Sequence, residues 1–227
     1  MEDIERYLTA TRSEMLFARG VIFVEGDAEE ALLPVFAEAL GHNLDQLGIT
    51  VCNVAGVNFK PYVKLATGLG LTFSVITDWD PLDGARQPLG IERALSIWDA
   101  HCKVSGKPPL SPTQRAHWSN VDFTTFCAQW SRSGIFLNNQ TFEVAVANTP
   151  SLQGALLAIL SEQGFGSTRT ARINAWRTGQ HVDPGHLLSM VSDIGKGRLS
   201  AKLAKKIHGL MPPQYITSAI NFVVSNV

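Results

Sequence analysis

Glu25 closes the apolar run "VIFV", and Glu29 follows four residues later, where a helical pattern begins. Asp78 and Asp80 close another apolar run, "FSVIT". Residues two apart on a strand share a face. Asp78 and Asp80 can therefore serve one ligand if strand geometry persists through Asp80, with Trp79 directed the other way. Four carboxylates in one small volume repel one another and hold their protons to higher pH unless cations neutralise them. All-oxygen ligand sets suit hard ions such as magnesium or manganese. Two such ions about 3.5–4 Å apart can clamp the attacking and leaving oxygens of a phosphoryl transfer. A bare D-x-D is often a capped turn. Joined to V-E-G-x-x-E on the same expected sheet, it becomes a specific signal. Glu29 is also the kind of acid that a first helical turn carries for the helix dipole alone. Glu30 reads as solvated and Asp83, in "LDG", as a turn residue.

The stretch "GKGRLSAKLAKKIHGL" supplies cations. Leu199, Leu203 and Ile207 recur at i, i+4 and i+8 as an apolar stripe, with Arg198, Lys202 and Lys205 together on another face. Such a face is commonly no more than solvated. Lys196 differs, because it stands between two glycines at the approach to the helix. Open backbone there lets a phosphate come close to the amides and the ammonium together. A positive charge at that point would stabilise the charge that builds up in phosphoryl transfer. Arg169, Arg172 and Arg177, with Trp176 among them, either extend a phosphate-binding track or form an ordinary surface helix with Trp176 in the core. The six histidines are too scattered for a zinc set.

Carboxylates so placed need a sheet to hold them. Val21–Val24 is predicted as a first strand, followed by a helix over Ala28–Leu40 with a kink at Pro34. "GITVCNVAG" gives a second strand and its exit loop, "NFKPYVKLATGLG" a second helix, and "LTFSVITDWD" a third strand. This order argues for an α/β fold, a parallel sheet flanked by helices, with ligands at the carboxyl ends of the strands. Residues 84–132 read as a helical insertion before a fourth strand, "SGIFLN". The expected organisation is a helical lead-in over 1–20, a catalytic domain over 21–150 and a C-terminal helical subdomain over 151–227 that carries Lys196. Ile4, Leu8, Met15 and Phe17 are the apolar anchors of the lead-in.

The totals support this reading. The 227 residues carry a net charge of −1, but unevenly. Residues 1–164 hold 11 basic and 18 acidic side chains, and residues 165–208 hold 8 and 2. An acidic part joined to a basic part suits a polyanion partner with metal ions on the acidic side, although chance clustering gives the same totals. Three widely spaced cysteines, Cys52, Cys102 and Cys127, argue for reduced thiols and a cytoplasmic location. No apolar run approaches the roughly 20 residues of a membrane helix, and no signal peptide opens the chain. The opening reads as a helix already under way, as in a piece of a longer protein. The uncharged tail "YITSAINFVVSNV" is expected to pack on the chain's own core rather than on a second subunit.

"VIFVEGDAEE" followed by "FSVITDWD" resembles the Toprim domain shared by topoisomerases, primases and several nucleases. The longer stretch "RYLTATRSEMLFARGVIFVEGDAEEALLPVFAEAL", the "NVAGVNF" loop, "VITDWDP" and "SDIGKGRLSAKLA" resemble the OLD (overcoming lysogenisation defect) family. The resemblance implies a metal-dependent DNA endonuclease using one or two Mg²⁺ or Mn²⁺ ions, preceded by an ABC-type ATPase domain that this sequence lacks. It implies Glu25 as metal ligand or general base, and Asp78, Asp80, Glu29 and Glu143 as further ligands. It implies Lys196 as the lysine that stabilises the transition state, while Arg198, Lys202 and Lys205 are read from their shared helix face as contacts to the DNA backbone. Glu143 also reads as a plain polar residue opening a helix. Two rivals remain open. A haloacid-dehalogenase-type phosphatase would want D-x-D-x-[TV] on the first strand, but here D-x-D follows the third and position 82 is Leu. A catalytically idle Toprim module would bind DNA or a partner as a scaffold.

Overall fold

The computed structural model describes residues 13–80 and 87–227. The lead-in anchors Ile4 and Leu8, and the turn residue Asp83, lie outside the described residues. Four strands, β1 (Gly20–Val24), β2 (Ile49–Asn53), β3 (Thr72–Asp78) and β4 (Ile135–Asn138), form one parallel sheet in the order β2-β1-β3-β4. β1 lies in the middle and all five of its residues are buried. An apolar run without alternation is what a strand covered on both faces requires.

The period of two sorts those side chains into two layers. Ile22 and Val24 face one apolar cluster, and Val21 and Phe23 the other. The first layer contains helix α1 (Asp27–Ala39), which follows β1, while α2 (Leu44–Leu47) is one short turn before β2. The second layer holds α3 (Lys60–Gly68) and the helices between β3 and β4: α4 (Leu89–Ser105), α5 (Pro112–Trp118) and α6 (Phe123–Trp130). The insertion read from the sequence is therefore three helices. Ser111 and Gln114 form a capping box at the start of α5, and the Asp122 side chain caps α6.

After β4 come α7 (Phe142–Asn148), α8 (Pro150–Ser161), α9 (Ser167–Arg177), α10 (Pro184–Ile194), α11 (Lys196–Ala204) and α12 (Gln214–Val224). Their buried residues join α1 and the sheet in one apolar cluster, so the core runs on past Pro150. Leu199, Leu203 and Ile207 are buried, as their spacing predicts, and α11 packs along α1. The tail forms α12, which lays Ile216, Ala219, Ile220 and Val223 into the core and packs on β1, β3 and β4. One expectation fails at the other end. Glu14–Phe17 is a short 3-10 turn in which Met15 is buried but Phe17 is 90% exposed, so only Met15 anchors it.

Gly90 lets α4 reach the end of β3. A Cβ at this position would stand 2.6 Å from the Asp78 carbonyl oxygen and 2.8 Å from the Trp79 backbone. Real side chains do not approach backbone so closely, so the helix must move. Gly90→Ala is expected to cost about 1–3 kcal/mol, as overpacking does. That is a fall in Tm of roughly 2–10 °C at this chain length, measured by circular dichroism. An unchanged Tm would mean that the contact between α4 and the strand end is loose.

Candidate active site

The carboxyl ends of the strands carry the acidic residues. Glu25 follows β1, Asp78 ends β3, Glu29 lies in the first turn of α1 and Glu143 in the first turn of α7. Together with Asp27, Gly56 and Lys196 they line one cavity of about 340 Å³. Local bonds hold this edge in shape. Asn53, at the end of β2, donates to Asp27 and Glu30 and accepts from the Ala55 amide. The Gly56 amide donates to the Glu25 carbonyl at 2.8 Å, which folds the "NVAGVN" loop over the edge.

Among the described residues, each of three carboxylates is anchored through one oxygen only. Glu25 Oε1 accepts from the Thr77 hydroxyl, from the Asp78 amide at 3.2 Å and from Arg93 at 3.0 Å. Asp78 Oδ1 accepts from Asn138 at 3.1 Å. Glu143 Oε1 pairs with Lys196 at 3.0 Å, while Glu143 Oε2 is buried with no partner among the described residues. An orphaned carboxylate oxygen in a buried side chain, beside the free oxygens of Glu25 and Asp78, is the donor set that a hard cation requires. The residues therefore fit a divalent ion, and they would hold it through Glu25, Asp78, Glu29 and Glu143. As they stand, no three Asp, Glu, His or Cys side chains among the described residues converge tightly enough to ligate one ion.

The same crowding governs protonation. Burial, then the neighbouring charges of Glu25 and Glu29, push the Asp78 carboxyl up to about 8, against a smaller opposing effect of the Asn138 bond. Burial foremost, with Glu143 and Glu25 adding, raises Glu29 to about 7. Lys196 is partly buried, which works against its charge, but Glu143, Glu29 and Asp78 more than offset this and raise it. Tyr215 is held well above 10 by burial and then by the same carboxylates.

Asp80 departs from expectation. β3 ends at Asp78, the Trp79 amide donates to the Asn138 carbonyl, and Asp80 takes a left-handed φ of 47°. Strand geometry does not persist, so the two aspartates do not share a face. Asp80 pairs with Arg93 at 2.6 Å and does not line the cavity with the others. Trp79 does point away, into edge-on contact with Phe123 and Phe126. Arg93 is the residue that the sequence reading missed. It lies three and four residues from the apolar positions of α4, on the stripe it shares with Ile97 and Ala100, both buried. A cation on an apolar stripe needs an acidic partner, which was the available signal. Thr77 and Asn138 were missed as well, since their roles depend on pairing across strands.

The basic residues divide. Lys196 begins α11 after Gly195, whose φ is 86°, with Arg198 and Lys205 exposed and Lys202 half-buried. Trp176 is core, Arg169 is engaged by Asp193 and Ser189, and Arg177 by Ser161. Arg172 is half-buried.

A parallel sheet with a glutamate after one central strand and D-x-D after its neighbour defines a Toprim-type domain. Residues 16–80 match the family model described as "Overcoming lysogenization defect protein-like, TOPRIM domain". The C-terminal region of the Burkholderia pseudomallei OLD protein is 31% identical, with a TM-score of 0.76 over 92% of this chain and 98% of that one. The C-terminal region of the Xanthomonas campestris pv. campestris OLD protein is 31% identical, with a TM-score of 0.75 over 92% and 96%. The uncharacterized protein YbjD of Escherichia coli is 35% identical over 77 residues, which span 34% of this chain and 14% of that protein. The chain belongs to the OLD family, and it corresponds to the C-terminal Toprim region of those proteins.

Proposed function

We propose that this chain is a divalent-metal-dependent DNA endonuclease, the nuclease part of a longer ATPase–nuclease. The observation that carries it is the gathering of Glu25, Glu29, Asp78, Glu143 and Lys196 around one cavity, with single-oxygen anchoring of three of the carboxylates. A divalent ion bound there, one or two in number, would supply an activated water and neutralise charge on the phosphate. The chain's own part is position and charge. Glu25 would hold the ion through Oε2, which has no hydrogen bond among the described residues. Lys196 has a side chain that is 66% exposed, and its ammonium turns from Glu143 to a non-bridging phosphate oxygen. Arg198, Lys202 and Lys205 continue from Lys196 along α11 and hold the flanking backbone by charge alone. Asp80 acts through Arg93 in this arrangement. With its guanidinium engaged, Arg169 contributes less than the α11 residues.

The test is cleavage of supercoiled plasmid with Mg²⁺ or Mn²⁺, beside Glu143→Gln. Nicked and linear products that need the metal, vanish with chelator and are lost in the variant are expected. DNA binding without cleavage by either metal would favour a scaffold role. Cleavage unaffected by Glu143→Gln would place the chemistry elsewhere.

A further inference from the structure

Arg93 makes four contacts at the strand ends. Its Nη1 donates to Glu25 Oε1 at 3.0 Å, to the Thr77 hydroxyl at 2.6 Å and to the Asp78 carbonyl at 3.0 Å. Its Nη2 donates to Asp80 Oδ2 at 2.6 Å. The side chain is only 9% exposed. A buried guanidinium is thus tied to the end of β1, the end of β3 and the turn that follows. It takes one oxygen of Glu25 and one of Asp80, and leaves the second oxygen of each without a hydrogen bond among the described residues. Asp80 adopts a left-handed φ of 47°, which aspartate tolerates better than most residues, and the ion pair holds that turn as well as the carboxylate. A planar fork can hold two carboxylates in a set direction, and a lysine ammonium cannot.

We propose that Arg93 is a positioning residue of the acidic site: pinned by Asp80, its guanidinium orients Glu25 through Oε1 so that Oε2 faces a divalent cation in the cavity. The proposal rests on the metal-dependent reading above. Partners of this kind set the direction of a ligand, and losing one typically lowers metal affinity about 10–100-fold. Arg93 is buried and does not line the cavity, so the rate at saturating metal is expected to change far less than the metal concentration needed.

The experiment is calorimetric titration of Mn²⁺ into the DNA-free protein, for the wild type, Arg93→Gln and Arg93→Lys. Circular dichroism melts accompany each variant. Wild type is expected to bind Mn²⁺, and both variants to bind it about 10–100-fold more weakly, with plasmid cleavage needing proportionately more Mn²⁺. Arg93→Lys keeps the positive charge and protects against simple unfolding, so its failure to rescue affinity isolates the fork. Equal or tighter Mn²⁺ binding by folded variants overturns the proposal and leaves the metal reading intact. Full rescue by Lys also overturns it, since charge alone would then suffice. No Mn²⁺ binding by the wild type overturns the metal reading, and this proposal with it.

Discussion

Asp78→Asn is expected to abolish cleavage while making the metal-free protein more stable. The side chain keeps its shape, and its amide oxygen can still accept from Asn138. What disappears is one negative charge among Glu25, Glu29 and Asp80, together with an anionic oxygen that faces the cavity. Without that ligand, turnover of plasmid in Mg²⁺ is expected to fall about 10³-fold or more, roughly 4 kcal/mol of lost transition-state stabilisation. The stability change has the opposite sign, and its pH dependence follows from linkage. The Asp78 carboxyl titrates at about 8 when folded, against 3.8 ordinarily. Between those values the folded chain holds more protons than the unfolded one, so stability falls as pH rises. Glu29, raised from 4.5 to about 7, acts in the same direction. The stability associated with these protons is fully present below about pH 4 and is lost towards pH 8.

Asparagine carries no such burden. The gain in Tm of Asp78→Asn in chelator is therefore expected to be small at pH 4.5 and to grow to several degrees at pH 8. A few kcal/mol spread over a chain of this size corresponds to about 2–4 °C each. Mg²⁺ should raise the wild-type Tm most at pH 8, where the ligands are deprotonated, and should leave the variant unmoved. A variant that is less stable than wild type at pH 8 would show that Asp78 is not under electrostatic strain. Asp78 and Glu29 are thus expected to lower the stability of the metal-free chain as pH rises towards 8, a cost that functional sites often carry.

How much of this was legible in the sequence depends on distance along the chain. The strands could be read because burial on both faces leaves unbroken apolar runs such as "VIFV". Glu25 and Asp78 could be placed because each ends such a run. Lys196 stood out by its flanking glycines. Asp80 could not be placed, because its turn is set by the Asn138 carbonyl on Trp79 and by Arg93, which lies 13 residues away on a helix beyond the turn. Periodicity describes one element at a time, and here the deciding bonds join three. Glu143 looked like any acid in a first helical turn. Only the packing of α7 on neighbouring helices buries it to 3% and leaves Oε2 without a partner among the described residues.

That burial makes Lys196→Ala the second large effect, and a double one. In cleavage, removing a single charge aimed at the phosphate is expected to cost about 10²–10³-fold, the range for one preorganised donor. In stability, the same change strips the only ion-pair partner from Glu143 among the described residues. A buried carboxylate left unpaired costs about 1–3 kcal/mol, or escapes by taking a proton. The figure stays below that of a fully enclosed pair because the lysine side chain is 66% exposed and screened by solvent. The two consequences can be separated. Adding Glu143→Gln to Lys196→Ala removes the stranded charge, so the double variant should recover most of the lost Tm at pH 8 while cleavage stays absent. A double-mutant cycle on Tm would then give a favourable coupling between positions 143 and 196. Additive losses in Tm would mean that the ion pair contributes nothing to folding. Cleavage that survives Lys196→Ala would move the transition-state charge to another cation, and Arg198, two residues further along α11, would be the next to change.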